Sequence, residues 1–361
     1  MKIAMISRAT LYTSPGGDTK QIDETAAELR ALGARVDIFT ADQAVPYDEY
    51  ELLHFFNAIR PADIIRHVKR SRLPFVLSTI FVEYGGVNES GRGGLVGALK
   101  RALPAGAFEY VKTVARAIRN GERIVSPEYL WLGHERSIRW VAGHAACLLP
   151  NSESEYRRFV ARFPVATPHR VVPNGINLTS IGREYPVDER YAGAVISMGR
   201  IESRKNQLGL IRAMNGAEVP LYIHGTASPN NRDYYDVCVA EAAANVHIKG
   251  HLAETELYTA YANAKVHVLP SYFETTGLSS LEAAAMGCNV VVSPGGDTRD
   301  YFGDDAWYCD PDSVESIRTA VDMALAAPFR TELRDRILAE YTWPKAAEAT
   351  LAAYREVLGQ S

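Results

Sequence analysis

Cysteine is scarce in this chain. The four present (Cys147, Cys238, Cys288 and Cys309) are scattered and form no C-x-x-C pair. That spacing argues against both a disulfide framework and a zinc site, and makes a reducing cytoplasm the expected location. Long apolar runs are also missing, since none approaches the roughly 18 residues that a spanning helix requires. The opening Met1-Lys2-Ile3-Ala4-Met5-Ile6 meets Ser7-Arg8 too soon for a secretory leader, so none is expected. Nor is there a basic excess: 39 Lys and Arg stand against 43 Asp and Glu, a net charge of −4. A global nucleic-acid surface is thereby excluded, and any basic site must be local. What the chain does have is 361 residues with 47% apolar content, enough for two ordinary cores.

Taken in order, the sequence opens as a βαβ unit. Lys2 to Ser7 reads as a buried strand, a helical pattern places Ile22, Ala26 and Leu29 on one face, Gly33 closes it, and Val36 to Thr40 is the next strand. Gly16 and Gly17 fall in the first βα loop, where open α/β sheets bind ligands, although they make no G-x-G-x-x-G fingerprint. Further strands are expected at Leu52 to Asn57, Phe75 to Ile80, Cys147 to Ser152 and Val171 to Ile176. His54, near a strand end, reads either as a hydrogen-bonded core residue or as a site residue. Residues 85–125 differ in character. Arg92, Lys100, Arg101, Lys112, Arg116, Arg119 and Arg123 outnumber Glu89, Glu109 and Glu122, with apolar residues between them. Such helices would lie on an anionic membrane face, line an acceptor groove, or pack as an ordinary solvated pair on the sheet.

Asn177 to Ala192, polar and turn-rich, reads as a linker, and a second α/β series follows. Strands are expected at Ala194 to Met198, Leu221 to His224, Val246 to Ile248, Val266 to Leu269 and Val290 to Ser293, with helices between them. Alternating strands and helices predict a second parallel, doubly wound sheet.

Two stretches of this half carry the chemistry. In Ser197-Met198-Gly199-Arg200-Ile201-Glu202-Ser203-Arg204-Lys205-Asn206, Gly199 frees the backbone to turn. Arg200 and Lys205 are placed to converge on one anion; a planar guanidinium and a point-charge ammonium suit a diphosphate. In the stretch from Pro270 to Gly287, Glu274 precedes a helix opened by Gly277, and Glu282 lies inside it. The start of such a helix offers unpaired N–H groups and a positive dipole end.

Together these motifs resemble the retaining glycosyltransferases of family four, which have the GT-B fold. The resemblance rests on Gly199-Arg200 with Lys205-Asn206 and on Glu274 spaced eight from Glu282. It extends to Gly16-Gly17, LPNS at 149–152, VPNG at 172–175, KGHL at 249–252 and the GGD run from Gly295. It implies two Rossmann-like doubly wound parallel-sheet domains facing a cleft. Residues 1–178 would form the acceptor domain, with a C-terminal helix at 343–361 packing back on it, and 179–342 the nucleotide-sugar donor domain. The activity implied is transfer of a sugar from a nucleotide-diphosphate donor to a glycan or lipid-linked glycan, as in bacterial surface polysaccharide synthesis, with the anomeric configuration retained and no metal or cofactor required. The family's roles then map residue by residue. Arg200 and Lys205 bind the diphosphate, Glu274 touches the transferred sugar, and Glu282 holds the ribose. The N–H groups of Thr276, Gly277 and Leu278 reach sugar or phosphate oxygens. Gly16 and Gly17 approach the diphosphate, and Gly225 with the loop carrying His251 and Leu252 borders the base.

One departure stands out. Many relatives carry a histidine after the fourth strand of the first domain, where this chain reads Ser78-Thr79-Ile80-Phe81-Val82-Glu83. His54, Thr79 or Glu83 would take over its sugar contact. Asp310-Pro311-Asp312 is similar to the D-x-D metal motif of the other glycosyltransferase fold, but its late position marks it as a turn. The expected location is cytoplasmic, with residues 92–123 the candidate for peripheral contact with the inner membrane face. Two other readings stay open: a sugar-nucleotide epimerase of the same fold, and a nucleotide-sugar-binding protein without turnover.

Overall fold

The computed structural model describes residues 1–82, 127–228 and 231–360. The basic stretch at 92–123 and Glu83 lie outside the described residues. The chain divides into two compact units, one starting at Met1, reaching Pro173 and taking in the C-terminal segment from Trp343, the other holding Asn174–Thr342.

In the first unit, strands β1 (Lys2–Ser7), β2 (Arg35–Thr40), β3 (Leu52–Phe56), β4 (Phe75–Ser78) and β5 (Cys147–Leu148) form a parallel sheet ordered β2-β1-β3-β4-β5. Being covered on both faces, such strands read as continuous apolar runs rather than alternating ones. Ile3, Ala4 and Met5 are fully buried, as are Leu52, Leu53, Val76 and Leu77. The helix Gly17–Ala31 buries Ile22, Ala26 and Leu29, and the chain turns out of it at Gly33, whose φ of 87° suits glycine. The expected strand at Val171 to Ile176 does not form. His169 makes only an isolated bridge to Leu148, and the Val172 N–H donates to the Pro150 carbonyl. Beyond Val172 the chain leaves that edge, and Ile176 instead makes an isolated bridge to Thr342 in the second unit.

In the second unit, β6 (Val195–Met198), β7 (Leu221–His224), β8 (Val246–Lys249), β9 (Val266–Leu269), β10 (Asn289–Val292) and β11 (Trp307–Tyr308) form a parallel sheet ordered β11-β10-β9-β6-β7-β8. The chain starts at β6, builds outward through β7 and β8, then returns to the other side of β6 for β9. That reversal makes a topological switch point between β6 and β9.

The stretch read as a linker belongs to this unit's core. Asn177 caps the short helix Leu178–Ile181 by accepting the Thr179 N–H at 2.9 Å. Ile181 and Tyr191 are buried, and the Tyr191 hydroxyl shares a 2.9 Å hydrogen bond with His224 Nε2 at the end of β7. Polar composition hid these two anchors. The C-terminal helix Trp343–Leu358 lies in the first unit, against the helix Gly17–Ala31, with Trp343, Ala347 and Tyr354 buried. Among the described residues no helix is long and apolar enough to cross a membrane. The four cysteines are buried and unbridged.

Candidate active site

The switch point of the second unit is flanked by the loops leaving β6 and β9, and these hold the two motifs. After Met198, Gly199 adopts φ 143° and donates its N–H to the His224 carbonyl at 3.0 Å. Gly225, buried at the end of β7, faces it so closely that an added Cβ would lie 1.9 Å from the Gly199 carbonyl oxygen. Gly225 therefore permits contact between two backbones, a packing reason for a glycine expected at the base. The chain then makes a 3-10 turn over Ser203–Lys205. Asn206 sits at φ 54° and caps the helix Gln207–Met214 by accepting the Gly209 N–H at 3.3 Å. This turn carries the Lys205 stem back across Gly199, where an added Cβ would touch Lys205 Cε at 3.5 Å.

On the β9 side, Glu274 is buried at 7% exposure. Its backbone is clamped to the loop after β10: the Glu274 N–H donates to Gly295 O at 3.1 Å, and the Asp297 N–H donates to Glu274 O at 2.8 Å. The approach requires glycines, because a Cβ on Gly296 would lie 2.0 Å from the Glu274 oxygen and one on Gly295 2.2 Å from the Tyr272 oxygen. Glu274 Oε1 accepts from Lys205 Nζ at 2.9 Å, from Ser271 Oγ at 3.0 Å and from Arg204 Nη1 at 3.3 Å. Burial pushes this carboxyl group up, but the charges of Lys205 and Arg204 and the hydrogen bonds outweigh it and hold the group at about 2.

Arg204, not Arg200, is the arginine that meets Glu274. Its guanidinium also donates to the Phe273 carbonyl and, at 2.8 Å, to Glu202 Oε1, and its own carbonyl accepts the Tyr272 N–H at 2.9 Å. Arg200 is exposed, and its side chain has no hydrogen bond or ion pair to the described residues. Both arginines stand in the same motif, and the sequence offered no period by which to choose between them.

Gly277, at φ 70°, opens the helix Leu278–Met286, with the Ser280 N–H donating to its carbonyl at 2.8 Å. Thr276 is buried with its hydroxyl occupied: it accepts from Asn174 Nδ2 at 3.0 Å and lies 3.4 Å from the Tyr301 hydroxyl. Glu282, buried on that helix, lies with Oε2 3.5 Å from the Tyr261 hydroxyl. Beneath the helix, His267 is fully buried on β9 beside Ser280. Burial first, then the nearby Lys205 charge, hold its imidazole down to about 3, so it is neutral. His251 is exposed and Leu252 half-buried against the core. Asp310-Pro311-Asp312 is a turn, with the Asp312 N–H donating to Asp310 Oδ1 at 3.0 Å.

In the first unit the glycine loop wraps around Arg8. The guanidinium meets both oxygens of Asp18 at 2.6 and 3.0 Å, and the carbonyls of Thr10 and Ser14 at 2.8 and 2.9 Å. Gly16 is extended and half-buried, and its N–H donates to Thr19 Oγ1 at 3.1 Å. Gly17 is exposed, with open space where a Cβ would point.

His54 and Thr79 are not placed as the expected sugar contacts. His54 is 1% exposed, with Nδ1 on the Tyr354 hydroxyl at 2.7 Å and Nε2 on Ser78 Oγ at 2.8 Å. Burial lowers its imidazole to about 3. Both nitrogens are engaged, so it is a structural histidine. Thr79 is fully buried, and its hydroxyl donates to the buried Glu155. Glu155 also accepts the N–H groups of Phe81 at 2.9 Å and Asn151 at 3.0 Å. It thus ties the loop after β4, where Ile80 holds φ 43°, to the LPNS segment. Its sequence signal was Ser152-x-x-Glu155, a capping-box spacing, with Ser152 Oγ accepting the Glu155 N–H at 2.9 Å.

Residues 192–340 match the family model for Glycosyl transferases group 1. The match falls within the second unit. Among curated relatives, the alpha-maltose-1-phosphate synthase of Mycobacterium tuberculosis is 31% identical over 199 residues, 49% of this chain and 51% of the relative. The chain spans only 27% to 51% of the length of the first curated relatives it matches. Among solved structures, the sucrose-phosphate synthase of Thermosynechococcus elongatus superposes over 100% of both chains, with a TM-score of 0.74 at 18% identity. The Anabaena protein Alr3699/HepE in complex with UDP and glucose covers 99% of this chain and 100% of its own, with a TM-score of 0.69 at 14% identity. The fold shared with them is GT-B, built from two parallel-sheet α/β units.

Proposed function

We propose that this protein is a retaining glycosyltransferase that moves a sugar from a nucleotide-diphosphate donor to a glycan or lipid-linked glycan, in bacterial surface polysaccharide synthesis. The observation that carries this reading is the meeting of Lys205 and Glu274, 2.9 Å apart, from the two loops that flank the switch point of a group 1 domain. In this reading Lys205 and the exposed Arg200 receive the diphosphate and stabilise the charge that grows on it as the sugar leaves, without calling on a metal. The unpaired N–H groups at the start of the helix Leu278–Met286 add partial positive charge toward the same place.

Glu274 serves as a binding group for the sugar. A carboxylate held at about 2 by two cations is a poor base and stays ionised throughout the physiological range. Glu282, eight residues along, is given to the ribose rather than paired with Glu274 as in a hydrolase. Thermal-shift measurements with UDP, GDP, ADP and their sugars test the reading, because a ligand that binds only the folded state raises its midpoint. Stabilisation by at least one nucleotide sugar, followed by its consumption only when an acceptor glycan is supplied, is the expected result. Isomerisation of the donor without acceptor would instead identify an epimerase.

A further inference from the structure

Four charged side chains form an alternating row at the switch point: Glu202, Arg204, Glu274 and Lys205. Their side chains are 10% to 22% exposed, so breaking one contact is not simply made good by water. The two cations hold Glu274 differently. Arg204 spends its fork on Phe273 O, Glu202 and Glu274, while its carbonyl accepts the Tyr272 N–H. To turn toward a ligand it would release the loop from Tyr272 to Glu274. Lys205 gives Glu274 one of its three ammonium donors, on a flexible stem lying over a glycine.

We propose that Arg204 is a positioning residue that keeps the Glu274 carboxylate compensated while Lys205 turns from it to the donor diphosphate. The inference rests on the donor reading above and adds the residue that makes the exchange of partners feasible. Without Arg204, each departure of Lys205 would leave a buried carboxylate with, among the described side chains, the Ser271 hydroxyl alone, 3.0 Å away. The carboxylate would then hold Lys205 back or take up a proton. The other groups around it do not replace Arg204. Glu202 has the wrong sign, Arg200 is exposed, Asp297 offers its backbone N–H to the Glu274 carbonyl, and His267 is buried and neutral.

The test is calorimetric titration of UDP, GDP and ADP into the 361-residue protein and its Arg204→Met variant between about pH 5 and pH 8, the range in which an uncompensated buried carboxyl group becomes protonated. The variant is expected to bind about tenfold or more weakly at the alkaline end and within about threefold of wild type at the acid end, because protonation of Glu274 replaces the missing cation. Adding Glu274→Gln to Arg204→Met should restore nucleotide affinity at the alkaline end, which also shows that the loss is not a failure to fold. Wild-type affinity in Arg204→Met, or an equal loss at every pH with no rescue by Glu274→Gln, overturns the inference. A wild-type protein that binds none of the three nucleotides removes the donor reading, and this inference with it.

Discussion

Lys205 Nζ lies 2.9 Å from Glu274 Oε1 although 69 residues separate them, and no regular element joins them directly. The contact exists because β6 and β9 are neighbours in the sheet, and because each exit loop is pinned by a glycine that lets backbones touch. A charged pair at that point has a cost in solvation that its two partners and Ser271 offset.

The two motif cations are expected to separate on mutation. Arg200→Ala removes an exposed guanidinium with no partner among the described residues, so unfolding free energy should change by less than about 0.5 kcal/mol. Lys205→Ala leaves Glu274 short of a partner and should cost about 1–3 kcal/mol. Both should lower sugar transfer by about 100-fold or more. Denaturant unfolding beside a donor-consumption assay checks this, and near wild-type turnover in both variants would sink the diphosphate assignment.

Acid should remove stability in two windows. The buried His54 and His267 are held at about 3, below the unfolded value of 6.5. Their contribution is therefore full above 6.5 and falls away as pH drops from 6.5 toward 3. Glu274 is held at about 2 against an unfolded 4.5, so its contribution is full above 4.5 and is lost from there toward 2. Urea unfolding as a function of pH should show Glu274→Gln flattening only the lower window. An unchanged slope there would refute the ion-paired carboxylate.

Two glycines should resist even a methyl group. Gly225→Ala would drive a Cβ to 1.9 Å from the Gly199 oxygen, and Gly296→Ala, at φ 91°, to 2.0 Å from the Glu274 oxygen. Each should cost about 2 kcal/mol or more through clash and backbone strain. Gly17→Ala, with open space around it, should fold normally. Thermal midpoints of the three variants provide the comparison, and equal midpoints would contradict the packing described.

Glu155→Ala should be among the most damaging substitutions in the first unit. It strands the Thr79 hydroxyl and the Phe81 and Asn151 N–H groups inside the unit, at a cost of about 3–5 kcal/mol. Burial raises the Glu155 carboxyl group's affinity for protons, so Glu155→Gln should be tolerated better than Ala. Amide hydrogen exchange at Phe81 reports the loss directly, and protection equal to wild type in Glu155→Ala would contradict the role.

The sequence by itself determined most of the strands of the two sheets, but not the edge strand Trp307–Tyr308, and it announced one at 171–176 that does not form. Lys2–Ser7, Leu221–His224 and Val266–Leu269 coincide with the apolar runs that announce them, because a parallel strand covered on both faces is predominantly apolar rather than alternating. It also singled out the loops after Met198 and Leu269, since a glycine near charged residues at a strand end is a local signal, and the fold sets these loops side by side. What only the tertiary structure decided is which side chains in those loops meet. Arg204 rather than Arg200 reaches Glu274 because the turn Ser203–Lys205 sets their directions, and turns carry no period from which direction can be read. His54 became a core histidine through Tyr354, 300 residues away, and Glu155 became a buried acceptor through Thr79 and Phe81. Each case depends on partners that chain topology, not local pattern, brings within hydrogen-bonding distance.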